Sequence, residues 1–447
     1  MSPLTFEIRA LLRIGAPMMI VQGGLVLMSV VDTLVVGRVS PLAVASVGLG
    51  SNTANLIMAL VVGTAMGLEP LASQAMGRGD EARALFWLQR SVWLALVGGV
   101  ALSVASLALP LAFRLFDISG DLAETSTAYI WARAPGQAFC FLFSVYRSFL
   151  SALGRTSALI WAIVWANLAN LLLDGILVLG LDLGATGVGL ATSACFGVLW
   201  LSTMRSVRRR HGVAFDWRLA SSPEQAPTFD ELRVLLRLGL PIGLQFLLEV
   251  GIFSWASAAM ASFGETWLAG HQIALTMASF TFMSATGLAM ATTSRVGQHV
   301  GAGRGQEAKR VGRLGITLGG GFMVVGGLSF LFFRRPIAFA FAPDAPAVVS
   351  TGAALLTLAA LFSLSDGIQA VAAGALRGIG DTRAIFWANM VGHWCLGLPV
   401  AWWAAHGLGH GPPGLWWGLI AGLSFTAVFL LIRFERLARR PLQALEA

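Results

Sequence analysis

Charge is what this chain has least of. Only 12% of its 447 residues are Asp, Glu, Lys or Arg, about half the quarter that a soluble domain usually carries. With 56% hydrophobic residues, it has too little charge to cover a water-facing surface of its size. A soluble enzyme, a secreted disulfide scaffold and a disordered chain are all excluded, and a polytopic membrane protein remains. Cysteine is nearly as scarce. Cys140, Cys195 and Cys395 lie in apolar stretches without paired spacing, which argues against a disulfide framework or a metal site and for buried small hydrophobes. Lysine occurs once, at Lys309. P-loop, HExxH and nucleophile-elbow motifs are missing, so ATP-driven transport and membrane hydrolysis have no support and no catalytic residue is assigned.

Long apolar runs dominate what is present. A helix crosses the hydrocarbon core with ~20 apolar residues. Twelve such runs are expected, at 11–36, 42–73, 86–110, 124–150, 157–181, 184–205, 234–262, 266–294, 311–333, 347–375, 384–405 and 414–434. None alternates polar and apolar residues as a barrel strand does. The first run starts near Leu11 with no small-residue cleavage site, so insertion through an uncleaved first helix is expected. Fifty-two glycines suit close helix packing.

The 30 basic residues are placed asymmetrically. Arg38, Arg114, Arg334 and Arg335 fall in odd-numbered loops and Arg133 falls inside span four; nearly all the others flank the cytoplasmic ends implied by the positive-inside rule. Both termini are therefore expected in the cytoplasm of a bacterial inner membrane. The net charge of +8 is read as topogenic, and no nucleic-acid partner is expected. Trp402, Trp403, Trp416 and Trp417 are expected in the interfacial belt.

The chain repeats itself. Leu11–Pro17 resembles Leu235–Pro241 at an offset of 224, Gly77–Arg83 resembles Gly303–Lys309 at 226, and Gly154–Thr156 resembles Gly380–Thr382 at 226. Each half holds six spans, so the halves enter the membrane in the same orientation. The expected organisation is an N-terminal six-helix lobe at 1–207, a polar cytoplasmic linker at 208–233 and a C-terminal six-helix lobe at 234–447. The fold class is all-α, with twelve transmembrane helices in two parallel lobes around a central cleft.

Several polar residues interrupt the spans. A carboxylate at the centre of a membrane helix costs ~2.5–3.5 kcal/mol on insertion scales, so each one needs a reason. At ~1.5 Å per residue, Asp32 and Asp174 each stand ~28 Å above a cytoplasmic arginine, at matching depth. Asn167, Asn170 and Asp174 share one helix face, and Thr192 lies at a compatible height. Carboxylates, amide oxygens and a hydroxyl at one depth suit a hard monovalent cation or shared protons. Sodium at Asp32, Asn170, Asp174 and Thr192 is thus one expectation. In the second half, Glu249 and Asp366 both fall near the midplane, ~18 and ~16 Å up. The repeat puts Leu25 opposite Glu249; this loss of symmetry favours function over scaffold. Gln245, His271, Gln272 and Phe362 are further candidates for lining the cleft. Arg133 is read either as a partner of one of the acids or as a snorkelling residue.

At this point the motifs resemble the multidrug and toxic compound extrusion (MATE) transporters, in their NorM-like branch. The likeness rests on Val31-Asp32-Thr33 through Gly37-Arg38, Gln74–Gly79, Gln245–Glu249, Ala269–Leu275, Arg295–Gln298 and Asp366–Thr382. It implies two six-helix bundles around a V-shaped cleft. It also implies export of small organic cations and amphipathic drugs in exchange for protons or sodium, by a single chain in a lipid bilayer, with no resident cofactor. Asp32, Asn170, Asp174 and Thr192 match the family's first-lobe cation site, and Glu249 and Asp366 its second-lobe acids. Some sodium-coupled members carry Tyr four residues before the Asp366 position. Here Phe362 stands there and an oxygen is lost. A lipid-linked saccharide flippase of the same superfamily is the alternative; it would want a basic cleft, whereas these clefts read as acidic.

Overall fold

The computed structural model describes residues 3–115, 118–211 and 226–445. Every regular element among them is helical. The first half contains α1 (Pro3–Val36), α2 (Pro41–Ala65), α3 (Leu68–Gly77), α4 (Glu81–Ser106), α5 (Leu111–Leu115), α6 (Gly120–Ala152), α7 (Ser157–Asp174) and α8 (Gly184–His211). The second contains α9 (Phe229–Ala261), α10 (Glu265–Gly301), α11 (Gly305–Phe341), α12 (Pro346–Ile379), α13 (Thr382–Asn389), α14 (Leu398–Trp402) and α15 (Pro412–Ala438). Eleven continuous helical stretches are long and apolar enough to cross a membrane. The twelfth span is α6, whose 33 residues are ample in length but more polar, because Arg133, Gln137 and Arg147 lie within it. Those groups are tolerated because α6 is wrapped by α2, α4 and α8. Its repeat counterpart, α12, is likewise packed by α10, α11 and α15. Outer faces stay apolar: Leu34, Val97, Trp161 and Phe332 are all exposed, as a lipid-facing surface requires.

Local chemistry explains the helix ends. Ser40 accepts a hydrogen bond from the Ala43 amide at 3.1 Å, with Pro41 in the first turn of α2, where its missing N–H costs nothing. Thr228 and Glu231 form a reciprocal cap on α9: the Thr228 amide donates to Glu231 Oε2 at 2.9 Å, and the Glu231 amide to Thr228 Oγ1 at 3.3 Å. Glu231 also pairs with Arg90 of α4 at 2.9 Å. Of the expected linker at 208–233, residues 212–225 lie outside the described residues.

The repeat is visible in the backbone, with one shift of register. Gly79 ends the turn after α3 at φ +76°, and Gly303 ends the turn after α10 at φ +71°. A positive φ favours glycine at both positions. These equivalent glycines are 224 apart, the same offset as Pro17 and Pro241. The Gly77–Arg83 likeness at 226 is therefore out of register with the structure by two residues. Gly154 and Gly380, at φ +67° and +95°, do keep the 226 offset. The fifth span ends in a π-helical segment in both halves, at Gly175–Gly180 and at Trp403–Gly407. A second π segment, Met390–Gly397, interrupts the latter span.

The chain divides into two compact units. One, the C unit, comprises Met1–Met19, Ser73–Gly79 and Leu244–Glu446; the other, the N unit, is built from Ile20–Ala72 and Asp80–Gly243. The units do not follow the sequence halves at their edges: the start of α1 joins the C unit and the start of α9 joins the N unit. Pro17 and Pro241 each stand two residues before these changes of membership. Small residues make the exchange of helix ends close-packed. Within the N unit, a Cβ on Gly63 would fall 2.5 Å from Gly243 Cα. Within the C unit, a Cβ on Gly287, the repeat counterpart of Gly63, would fall 2.9 Å from Gly15 O.

Candidate functional site

The N unit holds a buried cluster of oxygen and amide groups contributed by α1, α7 and α8. Asn170 Nδ2 donates to Asp32 Oδ1 at 2.7 Å and to Asp174 Oδ2 at 3.2 Å. Thr192 Oγ1 lies 3.2 Å from Asp32 Oδ2 and 2.9 Å from its own-helix Val188 carbonyl. The two carboxyls share the Asn170 amide and are close enough to act on each other electrostatically. Asn170 and Asp174 are wholly inaccessible to solvent, and Asp32 and Thr192 nearly so. Asp174 is the last residue of α7 before the π segment, a local widening that often marks functional positions. Asn167 does something different. Its Nδ2 donates to the Gly24 carbonyl at 3.1 Å and to Ile163 O at 2.9 Å, tying α7 to α1 below the cluster.

A cavity of about 500 Å³ opens beside the cluster, within the same unit. Asp32 and Thr192 form part of its wall, with Tyr129, Arg133, Phe143 and Arg147 from α6. Arg133 neither snorkels nor forms an ion pair among the described residues. It is buried and donates to Asn55 Oδ1 at 3.0 Å and to Tyr129 Oη at 3.1 Å. Arg147 is also buried and donates to Gln22 Oε1 at 3.2 Å. The cavity wall thus carries two guanidiniums and one carboxylate, where the sequence reading expected an acidic cleft.

The C unit holds the second acid cluster, between α9 and α12. Glu249 Oε1 accepts from Gln245 Nε2 and from Gln369 Nε2, each at 2.9 Å. Gln369 Nε2 also lies 3.3 Å from Asn389 Oδ1. Asp366, one turn before Gln369, is buried within electrostatic reach of Glu249. Of the four suggested cleft residues, only Gln245 joins this cluster. His271 is fully buried, with Nδ1 accepting from Trp416 Nε1 at 3.2 Å and Nε2 3.1 Å from Ser257 Oγ. Both ring nitrogens are satisfied, as in a packed core histidine. Phe362 packs edge-on against Phe253 and Trp416, with ring centroids 6.0 and 5.9 Å away. Gln272 is exposed. Trp416 is a core residue rather than an interfacial one, whereas Trp402, Trp403 and Trp417 are exposed. Cys395 is exposed too; only Cys140 and Cys195 are buried as expected.

The sequence reading missed Gln369, Asn389, Glu69 and Arg147. Gln369 and Asn389 are neutral, and attention to intramembrane acids passes over them. Glu69 and Arg147 lie inside spans 42–73 and 124–150, so the spans themselves carried the signal. No group of three or more His, Cys, Asp or Glu side chains suited to a metal ion occurs among the described residues. The oxygens able to receive a monovalent cation are those of Asp32, Asp174 and Thr192. Asn170 adds one only if its amide turns over, because Nδ2 now faces both carboxylates and Oδ1 is buried without a partner.

Among the described residues, eleven apolar helical spans and the shielded, more polar α6, with buried carboxylates in both halves, define a polytopic helical transporter. A MatE family profile matches residues 17–176 and 241–403, and the chain belongs to that family. It is 32% identical to the probable multidrug resistance protein NorM of Pseudomonas putida, over 98% of this chain and 96% of the relative. It is also 32% identical to the multidrug resistance protein PmpM of Pseudomonas aeruginosa, over 97% and 92%. Its fold matches the outward-facing conformation of a multidrug resistance MATE family transporter of the MOP superfamily, with a TM-score of 0.87 at 22% identity, over 97% of this chain and 96% of the other.

Proposed function

We propose that this chain is a secondary active exporter of small organic cations and amphipathic drugs, driven by the inward movement of protons, sodium ions or both. It works as a single chain in a bacterial inner membrane with both termini cytoplasmic. One observation carries the reading: Asp32 belongs at once to the buried Asn170–Asp174–Thr192 cluster and to the wall of the cavity. A cation arriving in the cluster neutralises the carboxylate that a cationic solute in the cavity would need. The two therefore compete, and uptake of one favours release of the other. The cavity volume lies within the few hundred to ~1,000 Å³ of small-molecule sites. Glu249 and Asp366 offer a second pair of exchangeable carboxylates in the C unit. The names of the NorM and PmpM relatives support the substrate class.

For the ion itself, the residues favour protons in the arrangement at hand, because Asn170 offers donors to both carboxylates. Sodium binding would require the amide to turn its oxygen inward. A flippase for lipid-linked saccharides is the second reading, and the two guanidiniums in the cavity wall are what favour it. Proteoliposomes loaded with ethidium, with pH and sodium gradients imposed separately, separate these readings. Dye movement driven by either gradient, and lost in Asp32→Asn, is the expected result. Dye movement indifferent to both gradients would overturn the antiport reading.

A further inference from the structure

α11 is longer than a bilayer needs, and it kinks before it ends. Its 37 residues would span ~55 Å as a straight helix, against a hydrocarbon core of ~30 Å. The helical backbone breaks at Phe333, with φ −105° and ψ 16°. Pro336 explains the break: it has no N–H for the Phe332 carbonyl, and its ring crowds that group. The repeat shares this proline. Pro110 stands 226 residues earlier, where α4 has ended at Ser106 and α5 follows. What the repeat does not share is charge. Arg334 and Arg335 stand where the first half has Ala108 and Leu109. They are two of the few arginines in odd-numbered loops, against the positive-inside bias.

Beyond the break, residues 334–341 have two unlike faces. Ala338 is fully buried and Ile337 packs against the same apolar core of the C unit. A Cβ on Gly352 of α12 would lie 3.4 Å from Ala338 Cβ. The other face carries Phe339 and Phe341, while Phe332 and Phe333 flank the break; all four are more than half exposed. Arg335 and Phe339 are four residues apart and so are neighbours on the helix surface. Arg334 is oriented by a hydrogen bond from Nη1 to Thr357 Oγ1 of α12 at 3.1 Å. The nearest acids in sequence at this end of the C unit are Asp344 and, at the start of α10, Glu265. Neither forms an ion pair with Arg334 or Arg335 among the described residues.

We propose that residues 332–341 are a docking surface for an anionic phospholipid of the periplasmic leaflet. The headgroup phosphate sits on Arg334 and Arg335, and an acyl chain lies against the exposed phenylalanines. Guanidinium donors match a phosphate, and exposed aromatic rings beside basic residues suit the headgroup–acyl boundary. Two arginines favour a headgroup with net negative charge over phosphatidylcholine, whose own cation cancels its phosphate. The choice of leaflet rests on the reading that both termini are cytoplasmic.

The test uses the full-length protein with Cys395→Ala, since Cys395 is exposed whereas Cys140 and Cys195 are buried. A bimane is attached at Ala340→Cys, an exposed position outside the proposed contacts. Phosphatidylcholine nanodiscs receive an equal small fraction of nitroxide-labelled phosphatidylglycerol or nitroxide-labelled phosphatidylcholine, and quenching of the bimane is compared. Phosphatidylglycerol should be enriched at the label about fivefold, the factor for one headgroup charge beside one basic residue. Arg334→Gln with Arg335→Gln should bring the ratio close to one. Quenching by phosphatidylcholine should stay unchanged in that variant, because it reports that the segment still reaches the bilayer. Arg334→Lys with Arg335→Lys should keep most of the preference. Equal quenching by the two lipids in the parent protein, or a preference unchanged by the paired Gln substitutions, would overturn the proposal. So would the absence of quenching by either lipid, which places the segment in water. A membrane-impermeant maleimide applied to spheroplasts reads the leaflet separately. Modification of Ala340→Cys from outside is the expected result. Modification only after permeabilisation would overturn the leaflet and the orientation, and would leave the lipid preference to the quenching result.

Discussion

Replacing Asp32 by Asn should abolish transport and leave the fold standing, and the hydrogen bonds around it say why. In the wild type, Asp32 Oδ1 accepts from Asn170 and Oδ2 lies beside Thr192 Oγ1. An Asn at this position keeps the first contact with its own Oδ1. Its Nδ2 then donates to Thr192 Oγ1, whose proton can go to the Val188 carbonyl 2.9 Å away. Every buried polar atom touched by the change keeps a partner. The loss is the charge assistance of two bonds, about 1 kcal/mol each. The gain is relief from burying a charge, of similar size and opposite sign. Net stability should therefore change by less than about 1 kcal/mol, within a few degrees in Tm. Asp32→Leu is the contrast. It leaves Asn170 with one acceptor fewer and the cluster without its shared carboxyl, and should cost about 2–4 kcal/mol. Transport responds differently. A gradient of two pH units supplies about 2.7 kcal/mol per proton, a limiting accumulation of about a hundredfold for one-for-one exchange. Without the ionisable group at Asp32, accumulation through this site should fall to the passive ratio of about one. The assays are thermal unfolding in detergent and gradient-driven dye accumulation in proteoliposomes. Asp32→Asn vesicles that still accumulate dye at the wild-type ratio would refute the role of Asp32. An Asn variant as unstable as the Leu variant would refute the hydrogen-bond argument.

The remaining predictions concern positions where the structure supplies a single mechanism. Gln369→Leu removes a donor from both Glu249 and Asn389 and should cost about 1–3 kcal/mol; transport should fall further than in Gln272→Leu, whose parent residue is exposed, and equal transport in the two variants counts against the C-unit cluster. Gly243→Val would put a Cβ 2.6 Å from Leu60 O and 2.7 Å from Thr64 Oγ1, so α2 and α9 must separate, at a cost of about 1–3 kcal/mol. A Gly243→Val protein with wild-type Tm would show that the close approach is absent. Glu231→Ala loses the side-chain half of the α9 cap, the bond from the Thr228 amide, together with the Arg90 pair. The expected cost is about 1–2 kcal/mol, and Arg90→Ala in that background should add little, which a double-mutant cycle on Tm reads directly.

Helical arithmetic explains what could be read from the sequence and what could not. Rise per residue converts chain position into depth, and depth alone placed Asp32 level with Asp174, and Glu249 level with Asp366. In the structure Asn170 bonds to both Asp32 and Asp174, Thr192 lies beside Asp32, and Asp366 is within electrostatic reach of Glu249. Depth says nothing about azimuth between helices. Asn167 shares a helix face with Asn170 and Asp174, yet its amide is taken by the Gly24 carbonyl on α1. His271 and Phe362 stand at suitable positions along their spans but point into an aromatic core with Trp416. The same limit hid the polarity of the cavity. Counting acids inside spans made the interior look anionic, because Arg147, which lies within the span at 124–150, was passed over. Only the packing of α6 among α2, α4 and α8 brings Arg133 and Arg147 onto the wall shared with Asp32. A span too polar for lipid is thus itself a signal. In each half of a duplicated transporter, one helix must be shielded by the others, and its charged residues are then the ones that face an internal cavity rather than the bilayer.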